Sequence, residues 1–189
     1  MSTITRMTIA DYDRLIASGH FDSTGESPRS EFIHGELRPM TPIGPVHDWL
    51  MEALTDWSYR NASIHRATTR FQAALEISGL ESVPEPDVLW LVKKDYLTVR
   101  PTSADVFLIV EIADSSLEYD CGEKASLYAS GGVVDYWVVN IPDKCVEVFR
   151  QPEQGKYREH QVFKAGDEIQ PLAFPEISLA VATLFPLKP

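Results

Sequence analysis

Three residues occupy positions where their chemistry is conspicuous. Asp87 directly follows Pro86 and opens the apolar run Val88-Leu89-Trp90-Leu91, which sets a carboxylate at the edge of a strand. Glu111 interrupts a second run, Val106-Phe107-Leu108-Ile109-Val110, and is followed by Ile112-Ala113. A carboxylate embedded there is costly unless it is paired or bound to a cation. Two such acids on adjacent strands, with the backbone carbonyl of Ile112 between them, offer the all-oxygen surroundings that Mg²⁺ or Mn²⁺ prefers. Asp120, Lys124 and Tyr128 follow one another at one-turn intervals on the helix after Glu111, so they share a face. If that face turns toward the strands, the Lys124 ammonium can approach a metal-bound phosphate. There it can stabilise charge developing on the phosphate or help deprotonate the attacking water.

Each residue also has a plain reading. Asp87 can be a turn acid after proline, Glu111 can point to solvent from a half-exposed strand, and Lys124 can be a solvated helix lysine paired with Asp120. Glu36 reads as a hairpin residue and His47 as a packing or capping residue near a helix start. Tyr128, Tyr136 and Trp137 read as core aromatics, because they lie in an amphipathic helix and an apolar strand.

The elements that must position these groups follow from periodicity. A short helix is predicted over 8–18 with Thr8 as N-cap and Gly19 as stop, followed by a loop over 23–30 rich in Gly, Ser and Pro. Residues 31–33 and 36–38 flank His34-Gly35 as a tight hairpin. Pro45 opens a long helix whose apolar stripe is Val46, Leu50, Ala53, Leu54 and Trp57. From Ser63 the period shortens, and strands are predicted over 64–69, 71–77, 87–92 and 106–112 in one mixed sheet. A helix over 120–130 ending at Gly131-Gly132 and a buried strand over 134–140 complete a strand-helix-strand crossover. A hairpin of 144–151 with 156–163 and a short helix over 178–184 close the chain.

The chain has 189 residues, 44% hydrophobic and 24% charged, which predicts one globular domain over 1–189 with a core at about 31–165. Neither a basic-then-apolar leader nor about eighteen consecutive apolar residues occurs, so a cytoplasmic location without membrane contact is expected. Cys121 and Cys145 lack metal-binding spacing, which fits a reducing compartment. A net charge of −11 means that any nucleic-acid footprint is local.

The order Pro86-Asp87, Val110-Glu111-Ile112, Asp120-x-Gly122-Glu123-Lys124-x-x-x-Tyr128 and Gly132-Val133-x-Asp135-Tyr136-Trp137-Val138-Val139 resembles the Uma-type restriction endonuclease family of the PD-(D/E)xK nuclease superfamily. Glu31-Phe32-Ile33-x-Gly35-Glu36-Leu37 and His47 also match, so the resemblance spans roughly residues 8 to 185. It implies an α/β (α+β) restriction endonuclease-like fold: a central mixed β-sheet flanked by helices, with an N-terminal helix-hairpin-helix extension. It further implies Asp87 and Glu111 as metal ligands together with the Ile112 carbonyl, Lys124 as the catalytic lysine and Glu36 as a supporting acid. The superfamily's lysine usually lies two residues after the second acid, where this chain has Ala113, so Lys124 from the next helix takes the role. Asp114-Ser115-Ser116 replaces the usual Ser-Pro-Ser-like turn, and its extra acid can join the metal shell or weaken phosphate binding.

The function expected on these grounds is Mg²⁺-dependent (or Mn²⁺-dependent) hydrolysis of DNA phosphodiester bonds by a cytoplasmic homodimer. The alternative is a non-catalytic module of the same fold that binds a protein or nucleic-acid partner. A small toxin ribonuclease with clustered aspartates fits the Asp, Glu, Lys order and the β-rich C-terminal half less well.

Overall fold

The computed structural model describes residues 6–21, 29–62 and 66–185. The expected loop over 23–30 and the start of the strand expected from Ile64 lie largely outside the described residues. Helix α1 (Ile9–Ala17) carries a capping box in which Thr8 and Asp11 bond each other's backbone amides. The chain then forms hairpin β1 (Ser30–Ile33) and β2 (Glu36–Pro39) and helix α2 (Pro45–Asn61), whose N1 residue Pro45 loses no helical bond. Tyr12 of α1 stacks on Phe32 of β1 at 4.8 Å, and Val83 completes this small cluster.

The hairpin turn has positive φ at both His34 (51°) and Gly35 (79°), the two-residue geometry that matches strand twist. A Cβ on Gly35 would meet the Met7 backbone oxygen at 2.8 Å. Gly35→Ala is therefore expected to lower stability by about 1–2 kcal/mol, from left-handed strain and this clash together. Urea unfolding measures it.

Six strands form the central sheet: β3 (Ala67–Phe71), β4 (Val88–Val92), β5 (Val106–Ala113), β6 (Asp135–Asn140), β7 (Cys145–Glu153) and β8 (Lys156–Lys164), in spatial order 3-4-5-6-7-8. Only β5 and β6 are parallel, and the helical crossover between them makes the sheet mixed. That crossover is α3 (Leu117–Tyr119), a π-helical turn (Asp120–Lys124) and α4 (Ala125–Ser130). One face of the sheet packs on α2 through Leu50 and Leu54 and on the C-terminal segment through Ile169, Phe174, Ile177 and Leu184. The other packs on Leu127 and Tyr128 of α4 and on Leu75 and Ile77. In the first layer Trp57 stacks on Trp90 at 4.9 Å, and the buried Trp90 indole donates to Ser58 at 2.9 Å, so its one polar atom is satisfied.

Two expectations from periodicity need correction. Residues 71–77 do not form a second strand: Gln72 has φ 45°, which ends β3, and Leu75, Glu76 and Ile77 bond backbone oxygens of Pro84, Pro101 and Ser82 instead. The Leu75 and Ile77 side chains are buried without a ladder, so burial imitates strand patterning. The terminal helix expected over 178–184 is instead β10 (Leu179–Ala180), paired with β9 (Glu168–Ile169), and a 3₁₀ turn Val181–Thr183. The buried Leu179, Val181 and Leu184 fit an extended-then-tight path as well as a helical one. The C-terminal hairpin runs longer than expected, because the turn is only Gln154-Gly155 and Pro152 stays within β7.

Candidate active site

Antiparallel pairing of β4 with β5 sets Val88 opposite Val110. One step beyond that pair, Asp87 and Glu111 lie opposite each other on one face, the spacing at which cross-strand side chains interact. Asp87 is 7% exposed and Glu111 4%. Asp87 Oδ2 accepts the Ile112 amide at 2.9 Å and contacts His47 Nε2 at 3.2 Å, while Oδ1 receives the Gln72 amide at 3.4 Å. β5 thus bears one carboxylate and binds the other through the adjacent amide.

The crossover delivers the cation. In the π turn the Ala125 amide reaches back to the Asp120 carbonyl, which also accepts from the Tyr136 hydroxyl at 2.9 Å. Such turns recur where a helix must re-aim side chains at a site. Lys124 is 5% exposed and its ammonium lies 3.0 Å from Glu111 Oε1, 2.9 Å from Glu31 Oε1 and 3.9 Å from Asp120 Oδ1. One turn later Tyr128 donates to the same Glu111 Oε1 at 2.7 Å. Both helix donors use one oxygen, and Oε2 takes no hydrogen bond from the described residues.

Asp87, Glu111, Ile112 and Lys124 are therefore brought together. Glu36 is not: it is half-exposed at the hairpin, 3.8 Å from both Arg6 and Arg38. Glu31, on the partner strand of that hairpin, contacts the lysine instead and accepts the Glu85 amide at 2.9 Å. The sequence carried a signal for Glu31, an acid against Phe32-Ile33, of the same kind that exposed Glu111. Tyr128 is a core aromatic whose hydroxyl also serves the site, and Asp114 is exposed at the end of β5.

Electrostatically, four buried carboxylates (Glu31, Asp87, Glu111, Asp120) face one buried ammonium. Burial pushes the Glu111 carboxyl up to about 8; Lys124 opposes this, while Asp120, Asp87 and Glu31 add to it. Burial likewise raises Asp120 to about 6 against the pull of Lys124. For Lys124 burial acts downward, but Glu111, Glu31 and Asp120 more than reverse it and hold the ammonium charged. Carboxyls raised in the fold favour it when protonated. Their contribution is complete below the ordinary carboxyl range and is lost as pH climbs through about 6 and then about 8. The metal-free protein is expected to melt at progressively lower temperature from about pH 5 to about pH 8.5. A flat profile in differential scanning fluorimetry would contradict this.

Among the described residues, no three His, Cys, Asp or Glu side chains are grouped so as to hold a metal ion by themselves. The donors nevertheless suit a hard cation that brings its own waters. Mg²⁺ is commonly held by one or two carboxylates plus substrate oxygens. An extended residue turns its N–H and C=O to the same side, so the Ile112 carbonyl faces the side on which its amide binds Asp87.

The sheet order and helical crossover define an α+β fold with a mixed six-stranded sheet, which this chain shares with a solved structure. Described as a "putative nuclease belonging to DUF820" from Anabaena variabilis ATCC 29413, that protein is 16% identical and superposes with a TM-score of 0.67 over 84% of this chain and 90% of that one. Residues 9–182 match the Uma2 family, described as "Putative restriction endonuclease", and the chain belongs to that family. No curated protein matches it. No described helix is long and apolar enough to cross a membrane.

Proposed function

We propose that this protein is a Mg²⁺- or Mn²⁺-dependent endonuclease that hydrolyses DNA phosphodiester bonds. The observation that carries the reading is the pairing of buried Asp87 and Glu111 across β4 and β5, with more negative charge around them than Lys124 neutralises. Membership of a family described as restriction endonuclease supports it. Asp87, Glu111 Oε2 and the Ile112 carbonyl are the groups that would hold the ion. When bound, the ion supplies a Lewis acid for a phosphoryl oxygen and a more acidic water.

The rest is work for the chain itself. The Ile112 amide holds Asp87, Tyr128 holds Glu111, and Glu31 with Asp120 keeps Lys124 charged within reach of the same carboxylate. A charged lysine at that place stabilises negative charge on an attacked phosphate. With a net charge of −11, contact with DNA is confined to a local footprint around these residues. Cutting both strands calls for two copies, one site per strand.

The test is incubation of the purified protein with Mg²⁺ or Mn²⁺ and supercoiled, linear and single-stranded DNA, with RNA alongside. Nicking or linearisation that requires the metal and disappears in Asp87→Ala and Glu111→Ala is the expected result. DNA intact under every condition, with no metal uptake by calorimetry, would leave the binding-module reading. Because protons and cations compete for the same carboxylates, the thermal stabilisation given by Mn²⁺ is expected to grow between about pH 6 and about pH 8. Melting curves at fixed metal measure this, and a shift that shrinks with pH would count against carboxylate ligation.

A further inference from the structure

The His47 imidazole sits in the first turn of α2 with its side chain 12% exposed. Its Nε2 lies 3.2 Å from Asp87 Oδ2, and since a carboxylate only accepts, Nε2 carries the proton. The other ring nitrogen, Nδ1, is buried and has no hydrogen-bond partner among the described residues. The ring's single hydrogen bond among the described residues is the one to Asp87, and it is made from a different layer of the fold than the other donors. The Ile112 amide comes from β5, and the Gln72 amide, on the left-handed residue that ends β3, reaches the opposite oxygen at 3.4 Å.

We propose that His47 is a positioning residue that clamps Asp87 Oδ2 from helix α2 and so presents the carboxylate's remaining lone pairs to a divalent cation. The proposal rests on the reading of Asp87 as a cation ligand. Of the two donors on Oδ2, the Ile112 amide is fixed by the β5 backbone, whereas His47 is a side chain, so only His47 can be removed without touching the sheet. Imidazole and amide together hold Oδ2 from two directions, and rotation of the carboxylate about its own bond breaks both contacts. Partners that orient a ligand in this way typically change metal affinity about 10- to 100-fold when removed.

Mn²⁺ binding to the full chain without DNA, followed by calorimetry and by the paramagnetic resonance of free Mn²⁺, tests the clamp independently of cleavage. His47→Phe keeps a ring of similar size without a donor and is expected to weaken Mn²⁺ binding at least about tenfold. His47→Gln restores an amide donor and is expected to recover most of that loss while melting near the wild-type temperature. Should the phenyl ring unfold the chain, His47→Leu carries the same comparison. Wild-type binding that Asp87→Ala abolishes and His47→Phe leaves unchanged overturns the clamp alone. A wild-type protein that takes up no Mn²⁺ overturns the cation reading of Asp87 and the clamp with it.

Discussion

Glu111→Gln is expected to abolish metal-dependent DNA cleavage, by at least about a thousandfold, while the metal-free protein at pH 7 melts no lower than wild type. The two halves have one cause. Burial holds the Glu111 carboxyl up near about 8, so at neutral pH the metal-free fold already favours the neutral form, which glutamine imitates in shape and charge. The amide can still accept from Tyr128 and Lys124 on its oxygen, so the contacts at 2.7 and 3.0 Å have a counterpart in the variant. What it cannot do is supply an anionic oxygen to a cation. Cleavage assays at saturating Mn²⁺, paired with melting curves in chelator, separate the effects. Loss of activity accompanied by a large fall in melting temperature would mean that Glu111 is chiefly structural.

Lys124→Met is expected to act in the opposite sense on stability. The variant removes the ammonium that Glu31, Glu111 and Asp120 surround and leaves whichever of these carboxylates are ionised buried without a partner. Removing one member of a buried ionic cluster costs about 3–5 kcal/mol, because the partners' desolvation is no longer offset. The cost is pH-dependent with a fixed sign. As pH falls through about 8 and about 6 Glu111 and Asp120 take up protons, their share of the uncompensated charge disappears, and the gap between variant and wild type narrows. Urea titrations at about pH 5.5 and about pH 8 measure it. An equal deficit at both would show that lost packing, not charge, dominates.

The sequence was most informative where a residue type contradicted its surroundings. Glu111 within Val106-Ala113 and Asp87 after Pro86 were legible because a carboxylate in an apolar strand demands a reason, and β4 and β5 pair so as to set them opposite each other. The shared face of Asp120, Lys124 and Tyr128 was legible from helical spacing, although the π turn that aims it was not, since single-turn re-registration leaves little trace in periodicity. The sequence pattern pointed to Glu36, whereas Glu31 is the hairpin acid that reaches Lys124. In a hairpin, alternation alone does not say which strand lies nearer the sheet, and that depends on how 72–85 folds back over it. The same segment misled the strand assignment, because Leu75 and Ile77 are buried for tertiary reasons while their backbone bonds irregular neighbours. The family resemblance and the residue pattern agree on the fold.

The placement of Glu111 among Val106–Ala113 has a consequence for how the chain finds its structure. Side chains alternate across a sheet, so a one-residue slip of β5 against β4 and β6 would swing Glu111 into the layer of Leu50, Leu54 and Trp90. Lys124 and Tyr128 would lose their shared acceptor in the same move. Runs as apolar as residues 88–91, 106–110 and 136–139 resist such slips only if something penalises them, and here the penalty is a charge driven into hydrocarbon. The groups proposed to perform chemistry in the finished molecule thereby act during folding as a proofreading mark for strand alignment.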